Sequence, residues 1–375
     1  MFFIGVWFGG HPNNLPDGIR KHFVASNTAV REELIDTIEQ DFYKKIPRKE
    51  LETASLKGIV SSLGDRFSQY LTPDETKSFN SELNGGEFAG VGVSVVPEQR
   101  GLLVTNVIPS SPAEHAGVRD ADVITEVNGK SIAGAAARTA SSQIRGKPGT
   151  TVQLTVVSPN KKSRTITVKR AKLHAPMTES RLVTRKGQKL GVAELSTFGE
   201  GAHAKLRTGI DRLLRQGAKG IVLDLRGNGG GLLQEGRLVA SIFVNKGLIV
   251  STNGRHSPEQ KLYATGGAIS PKIPVVVLVD AGTASASEIV TGALRDHNRA
   301  TVVGTHTFGK GVFQQIEPLS NGGVLDLTVG RFFLPNGENL AGHPIQPQVK
   351  AQDNPRTTAD EGLNTALQTL LSKGA

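Results

Sequence analysis

Gly220-Ile221-Val222-Leu223-Asp224-Leu225-Arg226-Gly227-Asn228-Gly229-Gly230-Gly231-Leu232 runs from a short apolar stretch straight into a glycine-rich turn. A run of this kind, apolar on both faces and stopped by glycine, is a strand buried in a mostly parallel sheet. Glycines at the strand end let backbone N–H groups converge on a negative charge. No Lys-Ser or Lys-Thr pair follows, and the spacing is not G-x-G-x-x-G, so the signature of a nucleotide cradle is missing. An oxyanion hole and a plain tight turn both fit.

Working outward, the pattern repeats. Leu190 to Glu194 is a strand, and Ala204 to Arg215 is a helix with Leu206, Ile210, Leu213 and Leu214 inward. Lys272 to Val279 is a second buried strand, followed by a helix through Glu288 to Leu294; Thr301 to Val303 is a third, and Asp360 to Leu371 is a final helix. Such alternation predicts an α/β core. From Phe88 to about Lys172 the strands are short instead. Gly90 to Val95, Leu102 to Ile108, Val123 to Val127, Thr151 to Val157 and Thr165 to Val168 alternate with turn signals, of which Asn128-Gly129 is a strong hairpin signal. Pro112 to Ala116 reads as a short helix and Ala133 to Ile144 as an alanine-rich one. Ahead of this unit, Val30, Leu34, Ile38 and Phe42 recur every four residues, which predicts an amphipathic helix capped by Asn27 or Thr28. A second helix carries Leu51, Leu56, Ile59, Val60 and Leu63 and ends at Gly64; a third follows Pro73 and buries Phe79 and Leu83.

The chain has 375 residues, enough for about two to three domains. It has no cysteine, which excludes disulfides, cysteine-zinc sites, iron–sulfur clusters and cysteine nucleophiles. The formal net charge is +10, but the basic residues are scattered and aromatics are only 5%, which argues against nucleic acid. Met1 to Phe8 is almost wholly apolar. It is short for a signal peptide and reads as the tail of a signal or anchor, or as an ordinary apolar strand.

Two further motifs follow buried strands. Gly282-Thr283-Ala284-Ser285-Ala286-Ser287-Glu288-Ile289 opens a helix. A serine on a strand-to-helix turn sits at the positive end of the helix dipole, where it suits acyl transfer; Ser285 with Glu288 also suits a capping box. Thr307-Phe308-Gly309-Lys310-Gly311-Val312-Phe313-Gln314 places a lysine in an apolar loop that contains no acid. Such a lysine serves as a base only where desolvation lowers its pKa; otherwise it is a solvated cation. His297 lies about three helical turns beyond Ser285, too far for a Ser-His pair, and reads as a surface residue. No metal-ligand spacing occurs.

In this order the three motifs resemble the carboxyl-terminal processing proteases, tail-specific serine peptidases of the Ser-Lys type, over roughly residue 27 to the end. The resemblance implies that Ser285 is the nucleophile, Lys310 the base 25 positions later, and Gln314 the group that orients the lysine. It implies an oxyanion hole from Gly230 or Gly231 and Ala286. Residues 88–170 resemble a permuted PDZ domain, in which Gly90-Val91-Gly92-Val93 takes the carboxylate of a substrate's C-terminus and the substrate adds as a strand. The implied fold is α/β with a crotonase-like spiral core. Its parts are an N-terminal segment over 1–26, a helical part of the protease over 27–87, the inserted mainly-β PDZ domain, and the protease core with its C-terminal helix over 171–375. The implied activity is a serine endopeptidase needing no metal or cofactor. It acts on proteins with apolar C-termini, outside the cytoplasm in the bacterial cell envelope. Membrane anchoring through the N-terminus and self-association through the N-terminal helices would accompany it, and the PDZ unit could gate the site. Other readings are a CoA-thioester enzyme on the same kind of core and an inactive PDZ scaffold. The sequence departs from the family pattern at Ala121, where glycine is common, at Ser158, where arginine is common, and at His306, where a charged residue is usual. Gly342-His343-Pro344-Ile345 is a loose version of the family's G-x-G-I-x-P turn.

Overall fold

A computed structural model describes residues 26–83, 87–108, 110–133, 141, 143–159, 162–174, 176–353 and 359–374. The chain enters through helices α1 (Ser26–Asp41) and α2 (Arg48–Ser61), a short strand β1 (Gln69–Leu71) and helix α3 (Pro73–Leu83). The expected stripe on α1 is not its buried face: Val30, Leu34 and Phe42 are exposed, and Ile35 is the residue that is buried. On α2 the buried residue is Val60, while Ile59 lies in solvent. On α3, Phe79 is half-buried, and the side chain of Leu83 is outside the described residues.

The middle unit is built from β2 (Glu87–Gly90), β3 (Val93–Glu98), β4 (Gly101–Val107), helix α4 (Pro112–His115), β5 (Val123–Val127), β6 (Lys130–Ser131), β7 (Thr151–Val157), β8 (Ser163–Lys169) and β9 (Ala171–His174). Its sheet runs β3-β4-β5-β7-β8, with β6 on β5, around a core of Leu102, Ile124, Leu154 and Val156. Asn128 and Gly129 both take positive φ, 50° and 72°, as the tight hairpin between β5 and β6 requires. The run Gly90 to Val95 breaks in two at Val91-Gly92: β2 pairs with β9, and β3 pairs with β4. Most of the expected alanine-rich helix lies outside the described residues.

The remaining elements are β10 (Thr178–Arg185), β11 (Gln188–Leu195), α5 (Ala202–Arg215), β12 (Ile221–Asp224), α6 (Leu233–Ser241), β13 (Leu248–Asn253), β14 (Gln260–Tyr263), β15 (Val275–Val279), α7 (Ala286–Asp296), β16 (Thr301–Gly304), β17 (Val312–Pro318), β18 (Val324–Phe333), β19 (Val349–Lys350) and α8 (Glu361–Ser372). One sheet runs β10-β11-β12-β15-β16-β19 and is parallel from β11 onward. Alternation along its strands divides the core. Ile221, Leu223, Val275, Val277 and Val302 pack toward α5, α6 and α7, while Val222, Val276, Leu278 and Val303 pack toward Leu363, Ala366, Leu367 and Leu370 of α8. Each fully buried side chain of this size contributes about 1.5–3 kcal/mol, which is why these strands read as continuous apolar runs. A second, antiparallel sheet, β1-β18-β13-β14 with β17 on β18, is not foreshadowed by the sequence pattern.

Parallel pairing positions the chemistry. β12, β15 and β16 are adjacent and share one direction, so the loops that leave their carboxyl ends emerge on one edge. Those loops carry the three motifs. Among the described residues, no helix is long and apolar enough to cross a membrane, and no group of acids and histidines could hold a metal.

Candidate active site

The loops after β12 and β15 are stitched together by buried polar groups. Asp280 accepts the N–H groups of Gly227 and Gly282, both at 2.9 Å. Burial pushes its pKa up, against these bonds. Asn228, fully buried, donates through Nδ2 to the Leu195 carbonyl at 2.7 Å. Its own carbonyl accepts the Ala284 N–H at 3.0 Å and the Ser287 hydroxyl at 2.9 Å. Thr283 donates its hydroxyl to the Leu225 carbonyl at 2.9 Å. At the end of this framework Ser285 has φ 57° and ψ −117°, outside the regions open to most non-glycine residues. The Ser285 side chain is half-buried and stands at the N-terminus of α7.

Gly230 lies directly over this serine. A Cβ added there would come within 2.8 Å of Ser285 Cβ and 2.9 Å of the Ala286 nitrogen, so only glycine permits the approach. The Gly230 N–H is already donated to Asn228 Oδ1 at 2.9 Å. Of the two glycines considered for an oxyanion hole, Gly230 therefore has its amide engaged. Among the described residues, the N–H groups of Gly231 and Ala286 meet no acceptor.

Glu288 joins the second and third motifs. It is fully buried, and its carboxylate accepts the Ser285 N–H at 3.0 Å, the Lys310 N–H at 3.0 Å, the Gly309 N–H at 2.7 Å and the Thr307 hydroxyl at 2.6 Å. Burial pushes its pKa above the ordinary glutamate range, against all four bonds. The lysine loop contains no acid of its own, but α7 brings one to its backbone. The Lys310 side chain is half-buried and donates to Gln314 Oε1 at 2.6 Å; Gln314 Nε2 donates to Thr328 Oγ1 at 3.0 Å. The Phe67 ring centroid is 4.9 Å from Lys310 Nζ, and Phe308 meets Phe67 edge-on at 6.4 Å. The sequence reading missed Phe67 and Thr328, since neither lies in a motif.

Gly90 to Val93 belong to the other unit. Val91 is buried in that unit's own core. Its carbonyl accepts the Ala113 N–H at 2.8 Å. Val93 opens β3, an edge strand, so a peptide strand has a free side to pair with among the described residues. His297 is half-buried rather than a plain surface residue, with Nε2 on the Leu248 carbonyl at 2.7 Å.

Residues 189–351 match the model of peptidase family S41, and residues 89–169 match that of the PDZ domain. The chain carries a peptidase family S41 segment and a PDZ segment. It is 36% identical over 316 residues to a protein described as a probable CtpA-like serine protease of Staphylococcus haemolyticus (strain JCSC1435), covering 84% of this chain and 62% of that one. A protein of the same description from Staphylococcus aureus (strain COL) is 37% identical over 326 residues, covering 86% of this chain and 64% of its own. The chain thus spans just under two thirds of the length of these relatives. Among solved structures, the photosystem II D1 C-terminal processing protease superposes with a TM-score of 0.70 at 28% identity, over 91% of this chain and 97% of that chain. A lipoprotein of Streptococcus agalactiae shares the fold, with a TM-score of 0.50 at 13% identity over 93% and 97%.

Proposed function

We propose that this chain is a serine endopeptidase acting on proteins recognised by their C-terminal residues, with Ser285 as nucleophile and Lys310 as base. The observation that carries the reading is Glu288, whose single carboxylate fixes the backbone of both Ser285 and Lys310. In this reading the neutral amine of Lys310 takes the Ser285 proton as Oγ bonds to the scissile carbonyl carbon. The N–H groups of Ala286 and Gly231 hold the oxyanion; each donor of this kind is worth about 3–4 kcal/mol in a preorganised site. The Lys310 ammonium returns its proton to the leaving amine, and a water, deprotonated by the same lysine, then releases the acyl group from Ser285. Gln314 orients the lysine. No step calls for a metal or cofactor. Substrate would reach the site through the PDZ domain, where the backbone of Gly90 to Val93 takes the terminal carboxylate and β3 accepts a strand. The same reading carries a crotonase-like core over 171–375, domain limits at 26, 87 and 170, an extracytoplasmic location, N-terminal anchoring and self-association through α1 and α2.

A fluorophosphonate probe and a peptide with a free C-terminus test it together. Ser285→Ala is expected to abolish labelling and cleavage. Lys310→Arg is expected to abolish cleavage while the protein stays folded, because a guanidinium cannot take a proton. An active Lys310→Arg enzyme would refute the Ser-Lys assignment. Labelling that survives Ser285→Ala would favour a thioester enzyme or a scaffold.

A further inference from the structure

Residues 65–68 precede the stretch that matches the peptidase family, yet they reach the lysine loop. β1 pairs with β18 from Gln69↔Asp326 to Leu71↔Val324, and the Thr328 N–H donates to Ser68 Oγ at 2.9 Å. Within the turn, Asp65 accepts the N–H groups of Phe67 and Ser68, at 3.2 and 3.0 Å, and the Ser68 hydroxyl at 2.6 Å. The turn is thereby fixed with the Phe67 ring against Lys310, its centroid 4.9 Å from Nζ. The guanidinium of Arg66 lies over the same ring at 4.7 Å and over the Phe308 ring at 5.3 Å. Phe308 belongs to the lysine loop and meets Phe67 edge-on, so Arg66 sits in a corner made by two rings. Arg66 is exposed, and among the described residues its guanidinium meets no carboxylate.

Two cations thus share one aromatic ring. Both distances run to its centroid, so the two charges lie within about 10 Å of each other, comparable to the Debye length at ordinary ionic strength. The ring alone would favour the ammonium form of Lys310, because its negative face attracts a cation. Arg66 draws on the same ring and adds a positive charge that no working pH removes. A neighbouring cation is one of the devices that keep a lysine amine neutral and able to take a proton. We infer that Arg66 acts on the reaction through Lys310, as a positioning residue whose permanent charge, held in the corner of Phe67 and Phe308, disfavours the ammonium and raises the fraction of neutral base. The inference rests on the Ser285–Lys310 reading. Other charged groups stand around this end of the site. Glu288 on α7 is bonded to the Lys310 backbone, Asp65 lies in the turn, and the buried Asp326 on β18 accepts Gln69 Nε2 at 3.2 Å. They are the same in every Arg66 variant, so the comparison of variants isolates Arg66.

The test compares Arg66→Gln and Arg66→Lys with Ser285→Ala and Lys310→Ala in the full chain, on one peptide without acidic residues, with melting curves. The ascending limb of the pH profile of kcat/KM reports the base of the free enzyme. Coulomb's law at this separation, between the dielectric of water and that of a protein surface, gives a shift of about 0.3–1 pH unit. In Arg66→Gln the limb should therefore move up by that amount. Below the limb kcat/KM should fall about two- to tenfold, while the plateau above it stays at the wild-type value. The rate of fluorophosphonate labelling, which involves no peptide, should show the same shift. Arg66→Lys, which keeps the charge, should restore most of it. In the wild type, raising salt from about 0.05 to about 0.5 M shortens the Debye length to about 4 Å and should move the limb toward that of Arg66→Gln. This salt measurement decides the matter if Arg66→Gln fails to fold. A wild-type limb in folded Arg66→Gln would overturn the inference alone. So would a loss in Arg66→Gln that is equal at every pH, which would make Arg66 a substrate contact. Cleavage surviving in Ser285→Ala or Lys310→Ala, or absent from the wild type, would overturn the peptidase reading and this inference with it.

Discussion

At the scale of single residues, Glu288 shows how one buried acid can serve two loops. Four donors converge on its carboxylate, so removing the charge leaves several of them short of an acceptor. Glu288→Gln keeps the volume but presents an NH₂ group to N–H donors. Unsatisfied buried donors cost about 1–3 kcal/mol each. The variant is therefore expected to lose about 2–4 kcal/mol in denaturant unfolding and to lose most of its cleavage activity, because the Ser285 and Lys310 backbones are no longer tied. A Glu288→Gln enzyme with unchanged stability and activity would show that Glu288 does not hold the two loops together. Ala121 is the opposite case. The sequence departs from the family pattern there, and the structure gives the departure a cost: Ala121 has φ 64°, the left-handed region that favours glycine. Left-handed strain costs a non-glycine residue about 1–2 kcal/mol, of which the added chain entropy of glycine takes back part. Ala121→Gly should raise the unfolding midpoint by the equivalent of about 0.5–1 kcal/mol; a lower midpoint would contradict this. At Ser158 the departure is compensated. Arg164 from the next strand donates to both Ser158 Oγ, at 2.8 Å, and the buried Asp122, at 2.6 Å, so the guanidinium is supplied from a different position.

Secondary-structure elements differ in how far their sequence announces them. The strands of the parallel sheet were legible because burial on both faces leaves an unbroken apolar run, as in Val275 to Val279. Placing a motif after each of three such strands was enough to gather Ser285, Lys310 and the glycine turn on one edge. β17 and β18 were not legible. β17 carries Gln314, Gln315 and Glu317, and β18 carries Asp326, Gly330 and Arg331, since each has a half-exposed face. On α1 the helical spacing was real but identified the wrong face, because the surface left to solvent there is itself apolar. The bond from the Thr328 N–H to Ser68 Oγ was beyond reach, since nothing in either segment signals a partner so far along the chain. α8 was legible and so is its anchor. Asp360 caps it by accepting the Leu363 N–H at 2.7 Å, and it pairs with Arg226 of the glycine turn at 2.9 Å. Burial raises the Asp360 pKa, but the Arg226 bond and charge outweigh burial and hold it below the ordinary range. Its stabilisation is thus full above the ordinary aspartate pKa of about 4 and is lost as pH falls through the lowered value. Asp360→Asn keeps a capping oxygen but loses the charge that pairs with Arg226, and should cost about 0.5–1 kcal/mol at neutral pH. In acid titrations of unfolding, the difference from the wild type should shrink toward zero below that range. A gap that persists in acid would mean the charge is not its source.

Across the whole molecule, the question is what the inserted unit does to the site. β2 and β9 pair antiparallel, with Gly90 opposite Ala171, so the chain leaves the core and returns to it side by side. Excising residues 91–170 and joining Gly90 to Ala171 with a short Gly-Ser bridge should therefore leave a folded core, as circular dichroism and a melting curve would establish. The unit also bears on the core electrically. Asp120 is an exposed residue, yet partial desolvation, and then the charges of Asp280 and Asp353, push its pKa up, against a backbone bond at Val107 and the charge of Arg226. Those core residues flank or hold the loop from Leu225 to Gly231 that covers Ser285. A unit placed there is expected to act on turnover and not on delivery alone. The excised protein should show an altered kcat even on a small unstructured peptide that needs no delivery. An unchanged kcat with only KM raised would mean that the unit merely delivers substrate. The raised pKa fixes the sign of a pH effect. An acid whose pKa is raised by docking favours the docked arrangement when protonated, so docking gains as pH falls through that pKa and weakens above it. Asp120→Asn is uncharged at every pH. It should hold the docked arrangement at neutral pH and flatten whatever part of the acid limb of kcat depends on docking, and an acid limb identical to the wild type's would dissociate Asp120 from the gate.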